Sequence, residues 1–378
     1  MKITVLQKNL KQGIFVTSSI TGKNTNLPIL NNLMLSATNG VIKLSATDLE
    51  LGVSTTIRGK IDEDGVITAD AKILSSYVGL LPNNKIDLQT SGTELLLESE
   101  SYKTKIKGEL ADDYPLIPEL EKENYYEVKI NEFKQAVSSV VFAVMFNENR
   151  LALSGVLFNI DGETLTMAGT DSYRLAERSM KITSNITLAE GEGARRIIIP
   201  IKTLQELARI IAGDFGDNKD VETIKIYITD NQIAFSFDAI EVVSRLIDEQ
   251  YPDYKQIIPS QFKSSCTVSR EQLMRAAKAS ALFSKSGVND INIDLIAEKK
   301  GLVVSAVSGQ AGENVTNIEA KIEGVDNGVV INYKYLIDGL NNISSELVKI
   351  ELVDGATPCL LRPVGDDSYL YIIMPIKK

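Results

Sequence analysis

Hydrophobic and polar positions follow the same order three times along the chain. Each copy begins with a strand-like alternation that runs into a helix-like spacing of apolar residues, as in Ile3–Val5 followed by Leu10. Alternation with a period of two is typical of a half-buried strand, and apolar residues three and four apart are typical of an amphipathic helix. The same succession starts again at Tyr126 and at Cys266. The pattern therefore predicts three copies of one structural unit.

A second predicted helix in each copy follows a β-branched strand and begins beside a lysine. These lysines are Lys72, Lys202 and Lys334, so the copies are spaced by 130 and then 132 residues. Two strands are predicted after the first helix and two more after the second. Each copy is then a strand, a helix, two strands, one strand, a helix and two strands. That order predicts an α+β fold in which two helices pack on antiparallel sheet.

Proline-bounded stretches separate the three copies. One contains Pro115 and Pro118, and the other contains Pro252 and Pro259. Proline favours extended backbone in the residue before it, and such stretches suit connections between domains. We therefore expect three domains, at residues 1–121, 122–258 and 259–378.

Composition is typical of a globular chain. Of 378 residues, 44% are hydrophobic and 24% are charged, so each predicted domain has enough apolar residues for a core. The chain starts directly with a strand pattern, and no apolar run has the length of a membrane span. Cys266 and Cys359 lie in apolar, strand-like settings, which favours buried thiols in a reducing compartment. We expect a cytoplasmic protein without contact to a membrane.

The chain contains no histidine, and this narrows the chemistry that it can perform. Nucleophiles paired with histidine and most zinc sites are excluded, and no phosphate-binding glycine loop is present. Asp62–Gly65 resembles the start of a calcium loop, but Ile73 stands where the closing glutamate is needed. A hydrolase or lyase built on Asp48 and Asp171 is the alternative enzyme interpretation, although the repeat places these carboxylates in separate domains. We expect no enzyme activity, no metal and no cofactor.

Charge is distributed unevenly between the helices and the rest of the chain. The chain carries 40 basic and 50 acidic residues, a net charge of −10, whereas the six predicted helices carry +6. Helix surfaces often carry solvated lysines, but the same bias in six equivalent helices favours one basic face. Such a face would contact DNA phosphates weakly and without sequence preference. The basic helix residues are Lys8, Lys11, Lys72, Lys134, Lys202, Arg209, Arg270, Arg275, Lys278 and Lys334, and the acidic ones are Glu132, Glu206, Glu271 and Asp338.

Several short motifs, in this order and spacing, resemble those of the bacterial DNA polymerase III β subunits, the sliding clamps. They are Leu27–Asn32, Thr47–Glu50, Arg150–Gly155, Thr170–Leu175, Tyr251–Tyr254 and Met374–Pro375. The resemblance covers the whole chain. It implies three like-folded domains per chain, and two chains that close head to tail into a six-domain ring around duplex DNA. It also implies that the ring tethers the replicative polymerase and meets a clamp loader and other proteins through short peptides.

The resemblance implies an apolar groove for those peptides between the second and third domains. Methionine, leucine and proline suit an adaptable groove for an extended peptide. Thr170 and Asp171 are also interpreted as a structural turn, because Asp48 holds the equivalent place in the first copy, where the family has no such pocket. The ending Ile376–Lys378 departs from the arginine and apolar residue of many relatives. The groove residues are Leu153, Thr170, Ser172, Tyr173, Arg174, Leu175, Pro252, Ile257, Pro358, Ile372, Met374, Pro375 and Ile376.

Two further sets of residues complete the expectations. For contact with DNA, the helices and the family's loop positions indicate Lys8, Lys11, Lys23, Asn24, Lys72, Lys134, Asn147, Arg195, Arg196, Lys202, Arg209, Arg275, Lys278 and Lys285. For closure of the ring, the lysine-edged strand near Tyr102 is expected to pair with the partner's strand near Glu313. That interface set is Lys103, Lys105, Ile106, Lys107, Leu282, Phe283, Glu313 and Glu319. A repeat protein that binds only another protein, and not DNA, remains the second alternative.

Overall fold

The computed structural model describes residues 1–22, 27–147, 149–186, 194–213, 222–285, 287–298 and 300–377. Within these ranges the chain runs three times through one order of elements, which is a strand, a helix, five strands, a helix and three strands. The three predicted copies are thereby confirmed, as is the α+β class. No helix in the described ranges is long and apolar enough to cross a membrane.

The first copy ends before the connector at Pro115. Its elements are β1 (Lys2–Leu6), α1 (Gln7–Thr17), β2 (Asn32–Thr38), β3 (Val41–Thr47), β4 (Leu51–Ile57), β5 (Gly59–Glu63), β6 (Gly65–Asp70), α2 (Ala71–Leu80), β7 (Lys85–Ser91), β8 (Glu94–Ser99) and β9 (Tyr102–Glu109).

The second copy repeats this order before the connector at Tyr251. Its elements are β10 (Tyr126–Lys129), α3 (Ile130–Val141), β11 (Gly155–Asp161), β12 (Thr164–Thr170), β13 (Arg174–Lys181), β14 (Thr183–Ser184), β15 (Arg195–Pro200), α4 (Ile201–Ala212), β16 (Thr223–Ile228), β17 (Gln232–Phe237) and β18 (Ile240–Arg245).

The third copy runs to the end of the described chain. Its elements are β19 (Ser264–Ser269), α5 (Arg270–Ala281), β20 (Asp290–Ile296), β21 (Gly301–Ser308), β22 (Gly312–Glu319), β23 (Lys321–Gly324), β24 (Asn327–Asn332), α6 (Tyr333–Asn341), β25 (Leu347–Leu352), β26 (Cys359–Pro363) and β27 (Tyr369–Ile373).

The sequence pattern predicts six strands in each copy, and the structure has nine. Among the strands that the pattern does not predict are β4 and β13, which follow the first hairpin of their copies. Leu51 to Thr55 in β4 are all buried, on both faces of the strand. A strand buried on both faces shows no alternation of polar and apolar residues, so its sequence lacks the period that marks the other strands.

Side chains at the strand ends fix the starts of the second helices. The Asp70 carboxylate accepts a hydrogen bond from the Ile73 amide at 2.7 Å, and the Asn332 side chain accepts one from the Lys334 amide at 2.9 Å. Each bond satisfies an amide of the first helical turn that has no partner within the helix. The repeated lysines Lys72, Lys202 and Lys334 are the second residues of α2, α4 and α6.

The described residues pack into two compact units. Unit 1 comprises the described residues of 1–132, 182–192 and 202–246, and unit 2 comprises those of 133–181, 193–201 and 247–378. Unit 1 holds a 14-stranded antiparallel sheet in the order β14-β10-β16-β17-β18-β4-β3-β2-β6-β9-β8-β7-β1-β5. Unit 2 holds a nine-stranded sheet, β15-β11-β12-β13-β27-β26-β25-β19-β23, and a four-stranded sheet, β22-β21-β20-β24.

Each unit contains one junction between copies, where the third strand after the first helix pairs with the last strand of the next copy. In unit 1, β4 pairs antiparallel with β18, and Gly52 faces Val243. In unit 2, β13 pairs antiparallel with β27, and Leu175 faces Ile372. These pairings carry the sheet from one copy into the next.

Candidate functional site

The centre of the predicted groove is a tight turn that links β12 to β13. The Thr170 hydroxyl donates to the Arg174 carbonyl at 2.6 Å and accepts from the Ser172 amide at 3.1 Å. The Asp171 carboxylate accepts from the amides of Tyr173 and Arg174 at 2.9 and 3.0 Å. Ser172 lies at the tip with a φ of 78°. The structure therefore confirms Thr170 and Asp171 as residues that build the turn.

Arg174 fixes this turn to helix α6. Its guanidinium binds Asp171 at 2.9 Å and Asp338 at 2.6 Å, and it lies over the rings of Tyr335 and Phe142 at 4.7 and 5.5 Å from their centroids. The Arg174 side chain is only 12% exposed. Because its charge is balanced and its faces are covered, Arg174 positions the groove wall and does not offer a cation to a partner.

The apolar floor of the groove is the junction of β13 with β27. Leu175 and Ile372 face each other and are fully buried. They belong to one apolar cluster with Tyr251 and Tyr254, and Met374 packs against it. The connector at Tyr251 is anchored there, since the Tyr251 hydroxyl donates to the Ala168 carbonyl at 3.2 Å. The second connector and the last strand thus meet at the predicted groove.

The last residues of the chain continue the floor in extended form. The Met374 amide donates to the Tyr173 carbonyl at 2.8 Å, and the Ile376 amide donates to the Val330 carbonyl at 2.8 Å. Pro358 lies one residue beyond the pair of Cys359 with Ile373, and it is therefore beside Met374. The backbone through Ile376 is tied to its own chain, although Lys377 is exposed.

The remaining groove residues differ in exposure. Tyr173 is 61% exposed, Ile257 and Pro252 are also exposed, and Met374, Pro375 and Ile376 are half-buried. Leu153 is buried, and its neighbour Ala152 packs against the cluster around Leu175. The accessible apolar surface therefore lies at Tyr173, Ile257 and the tail. The floor beneath it, at Leu175 and Ile372, is buried.

Unit 1 contains the same turn between β3 and β4. The Thr47 hydroxyl donates to the Leu51 carbonyl at 3.0 Å and accepts from the Leu49 amide at 3.0 Å, and Asp48 accepts from the Leu51 amide at 2.8 Å. Leu49 stands at the tip with a φ of 79°. Lys202 binds the other oxygen of Asp48. Both turn carboxylates are thus occupied by their own backbone and a cation, which argues against the hydrolase or lyase alternative.

Basic residues of the helices are mostly exposed. Lys8, Lys11 and Lys72 in unit 1, and Arg275 and Lys278 in unit 2, face solvent, while Lys134 is half-buried. Lys202 is exposed beside Asp48, and in the loops Lys285 is exposed and Asn147 half-buried. Lys23 and Asn24 lie outside the described residues. All the charged residues that give the predicted helices their net charge of +6 lie within the six helices of the described ranges.

Three arginines that were expected to contact DNA are not solvent-facing residues of a helix. Arg209 binds Glu206 at 2.6 Å, donates to the Val16 carbonyl at 3.1 Å and lies over the Phe15 ring. Its charge is satisfied within the chain, so we leave it out of the proposed DNA contacts. Arg195 and Arg196 lie on β15, at an edge of the nine-stranded sheet, and not on a helix.

Two strands at opposite ends of the chain have an open edge in the described ranges. β9 pairs with β8 along its length and with β6 only at Gly108 and Glu109, and β22 pairs only with β21. Lys103 and Lys105 pair with Glu98 and Glu94 of the neighbouring strand, at 2.6 and 3.7 Å. These two lysines therefore already have partners in their own chain.

Other residues of the expected ring interface differ in exposure. Ile106 is only 4% exposed, so it packs in the core of its own chain and offers little surface to a partner chain. Lys107, Glu313 and Glu319 are exposed, Leu282 is exposed and Phe283 is half-buried. The exposed apolar residues on the two open strands are Tyr102 and Val315.

The structure adds site residues that sequence reasoning missed. Phe142, which follows α3, and Tyr335 and Asp338 of α6 hold the Arg174 guanidinium, although they are far from it in the sequence. Glu177, which binds Lys255 at 2.6 Å and accepts from the Tyr254 hydroxyl, fixes the second connector. No signal in the sequence points to these partners, because the burial of Arg174 is seen only in the folded chain.

Family models match nearly the whole chain. Residues 1–118 match the N-terminal domain of the DNA polymerase III beta subunit, residues 127–253 its central domain, and residues 255–377 its C-terminal domain.

Individual relatives and solved structures agree with this match. The protein named beta sliding clamp from Synechococcus elongatus is 28% identical over 380 residues, which cover 100% of this chain and 99% of that one. The DNA polymerase III beta subunit structure from Thermotoga maritima is similar with a TM-score of 0.90 and 28% identity, covering 100% of this chain and 99% of that one. The sliding clamp structure from Bacillus subtilis shares the fold, with a TM-score of 0.92, 24% identity and the same coverage.

Proposed function

The chain belongs to the DNA polymerase III beta subunit family, and from that premise we propose that it is a DNA sliding clamp. Two chains form a ring that encircles duplex DNA and tethers the replicative polymerase and other DNA-processing proteins. The ring confers processivity without sequence specificity and performs no catalysis. It needs no cofactor and works in the cytoplasm. The observation that carries the proposal is the repeated junction between copies, together with the open edges of β9 and β22.

The three copies correspond to three clamp domains, which we place at residues 1–121, 122–258 and 259–378. The connectors around Pro115 and Pro252 support these boundaries, because each one joins a complete set of nine strands and two helices to the next. The family matches begin and end close to the same places.

Ring closure follows from the register of the junctions. A junction pairs the third strand after the first helix of one copy with the last strand of the next copy. In the third copy that third strand is β22, and in the first copy the last strand is β9. Neither has a junction partner within the described chain. By position in their hairpins, Glu313 of β22 is equivalent to Gly52 and Leu175. Lys105 of β9 is equivalent to their partners, Val243 and Ile372. We therefore propose that β22 pairs with β9 of a second chain, with Glu313 opposite the partner's Lys105.

The free energy of this interface would come from strand pairing and apolar burial. An exposed ion pair such as Glu313 with Lys105 contributes about 0–1 kcal/mol. Main-chain hydrogen bonds and the exposed Tyr102 and Val315 supply the remainder, since each lies on one of the open strands. Leu282 and Phe283, at the end of α5, stay part of the proposed interface.

Binding of DNA rests on the helices. In the proposed ring they line the hole, and their basic residues meet phosphates through weak contacts that depend on salt. Encirclement explains how a chain with a net charge of −10 stays on DNA, because retention then depends on topology rather than affinity. The helix residues proposed for this contact are Lys8, Lys11, Lys72, Lys134, Lys202, Arg275 and Lys278.

Partner proteins are proposed to bind the groove of unit 2 through short extended peptides. The half-buried tail at Met374 and the exposed Tyr173 and Ile257 offer apolar surface beside a rigid floor. The polymerase catalytic subunit and the clamp loader are the expected partners of this groove.

The experiment that tests the proposal combines mass with retention on DNA. Light scattering should give twice the chain mass of 41.4 kDa. After loading by a bacterial clamp-loader complex, the protein should co-elute with nicked circular DNA and be released when a restriction enzyme linearises it. Val315→Asp, which places a charge on the open edge of β22, should give monomers that are not retained.

A matched variant controls for the added charge. Val325 is 60% exposed, against 57% for Val315, and it lies in the turn between β23 and β24. Val325→Asp should therefore stay dimeric and be retained. Equal retention of the wild type on linear and circular DNA would contradict encirclement and favour an ordinary DNA-binding protein. The absence of any retention would favour the repeat protein that binds only other proteins.

A further inference from the structure

One cross-strand pair at the junction differs strongly in size between the two units. In unit 1, Thr55 of β4 faces Ile240 of β18. At the equivalent register of unit 2, Arg178 of β13 faces Tyr369 of β27. The Arg178 guanidinium lies 5.9 Å from the centre of the Tyr369 ring and binds the Asp366 carboxylate at 2.6 Å. An arginine and a tyrosine therefore fill this place in unit 2, and the charge of the arginine is balanced within the chain.

The smaller pair of unit 1 lies in the wall of a cavity of about 510 Å³ beside helix α1. Thr55 and Ile240 are each only 5% exposed. The rest of the wall comes from α1, from the start of β3, from the connection between β4 and β5 and from the turn before β18. We call it the α1 cavity. Its charged lining residues are Lys8, Arg58 and Asp238.

The charged lining of the α1 cavity favours an anion. Two cations, Lys8 and Arg58, and one carboxylate, that of Asp238, give a net charge of +1. Arg58 is exposed, and its guanidinium has no ion pair or hydrogen bond with the described residues. A guanidinium has five donors and no acceptor, so Arg58 can bind an oxyanion at the mouth of the cavity.

Arg58 lies next to the helix whose lysines are proposed to contact DNA. The Asn9 side chain donates to the Arg58 carbonyl at 3.1 Å, so the first turn of α1 holds the backbone at Arg58. Lys8 lines the same cavity, and both Lys8 and Lys11 are exposed. Gln12, half-buried in the wall, adds an amide donor. The donors of the α1 cavity thus continue the basic surface of α1.

We propose that the α1 cavity binds a phosphate of duplex DNA and that Arg58 is its main donor. This proposal rests on the function proposed above, and it adds a contact from the end of a strand to the contacts from the helices. A backbone phosphate carries one negative charge, which matches the net charge of the lining. Such a contact holds DNA without reading its sequence. It adds one phosphate per chain to those bound by the helix lysines.

The salt dependence of DNA binding tests this contact. A short fluorescent duplex is titrated with the full-length protein between about 50 and 200 mM NaCl, and its anisotropy gives the binding constant. Arg58→Gln should lower the slope of log K against log salt by about 0.9, and the affinity at the lowest salt about tenfold, because one phosphate contact is lost. Arg58→Lys should keep the slope, since the slope depends on charge.

A matched variant controls for the loss of one positive charge. Lys60 lies two residues from Arg58, outside the lining of the α1 cavity, and it is paired with Asp62 at 2.7 Å. Lys60→Gln should therefore leave the slope unchanged. An equal fall in slope for Lys60→Gln and Arg58→Gln would overturn the site, because it would show a general effect of net charge.

Photo-crosslinking locates the bound phosphate. The duplex carries azidophenacyl groups on phosphorothioate linkages, and after irradiation the adducts are mapped by mass spectrometry. We expect adducts in residues 8–12 and 55–59, besides those on the other basic helices. The absence of adducts in residues 55–59 would overturn the site, as would an unchanged slope for Arg58→Gln.

The remaining outcomes separate this site from the function proposed above. A slope that falls in Arg58→Gln and is not restored in Arg58→Lys would show a loss of structure rather than of charge, and it would overturn the site. Adducts confined to the other basic helices would leave DNA binding by the helices standing. A wild type without salt-dependent binding would count against all the proposed DNA contacts, this one included, while the mass would still decide on the dimer.

Discussion

The two junctions share a backbone and a Thr-Asp turn, but they differ in the side chains that pack on the paired strands. Gly52 and Leu175 hold equivalent positions, and each faces the last strand of the next copy. A Cβ at Gly52 would lie 2.8 Å from the Ile117 side chain, so the connector fills the space that Leu175 fills by itself. Main-chain hydrogen bonds therefore set the architecture, and the side chains around them could change to serve different tasks.

Alkaline pH should separate the two units most strongly. Burial raises the pKa of Tyr251, Tyr369 and Tyr371 in unit 2 well above 10, and burial raises the pKa of Tyr114 in unit 1 to about 12. The folded state keeps these protons while unfolded tyrosines release theirs above pH 10. Stability is thus complete below pH 10 and falls above it, by about 1.4 kcal/mol per pH unit for each tyrosine.

Hydrogen exchange followed by mass spectrometry between pH 9 and 11.5 would measure this difference. Because unit 2 has more of these tyrosines around its junction, its strand β27 should lose protection at a lower pH than β4 of unit 1. Tyr251→Phe should move the loss in unit 2 to higher pH. Loss of protection in unit 1 first, or in both units together, would show that the buried tyrosines do not control alkaline unfolding.

Changing the size of the side chain at the equivalent positions 52 and 175 should give the next largest change in the free energy of unfolding. Leu175→Ala leaves a cavity in the cluster of unit 2 and should lower the free energy of unfolding by about 2–5 kcal/mol. Gly52→Ala pushes the Ile117 side chain back and should cost about 1–3 kcal/mol. Urea denaturation monitored separately in each unit would measure both. Leu110→Ala, at an exposed position, should change stability by less than about 0.5 kcal/mol.

Removing the cation of each turn should give unequal and smaller effects. Arg174 and Asp171 are 12% and 4% exposed, whereas Lys202 is 53% exposed. Arg174→Met leaves a buried carboxylate without its partner and should cost about 3 kcal/mol, while Lys202→Met should cost less than about 1 kcal/mol. Thermal unfolding at low salt and at 1 M NaCl would compare them. Salt should remove the effect of Lys202→Met and leave that of Arg174→Met; equal effects would mean that burial does not distinguish the two turns.

Local periodicity was enough to predict the repeat and the helices. The lysines at 72, 202 and 334 and the apolar spacing before them depend on neighbours within a few residues, so the sequence displays them directly. The junction strands β4 and β13 were missed because burial on both faces removes the alternation. Two strands that join the copies were therefore among those that the pattern could not reveal.

The residues of the candidate groove were predicted from the family resemblance, and only the structure shows how their side chains are held in place. The sequence identifies Arg174 as part of a motif, but nothing local indicates that Phe142 and Asp338 enclose it. For Arg209 the sequence predicted a contact with DNA that the structure does not favour. It counts as a positive charge in the sequence, and only its contacts with Glu206 and the Val16 carbonyl show that the charge is used internally.

In the proposed ring, β9 and β22 form two identical gates. When one gate separates, the other still holds the two chains together, so the free edges remain within one molecule of each other. Their effective concentration then stays far above that of separate chains, and reclosure does not depend on how much protein is in solution. A ring of this kind can open for DNA at one seam without dissociating. Its lifetime on DNA is therefore set by how often one seam opens, whereas the slower loss of both seams sets only the lifetime of the dimer.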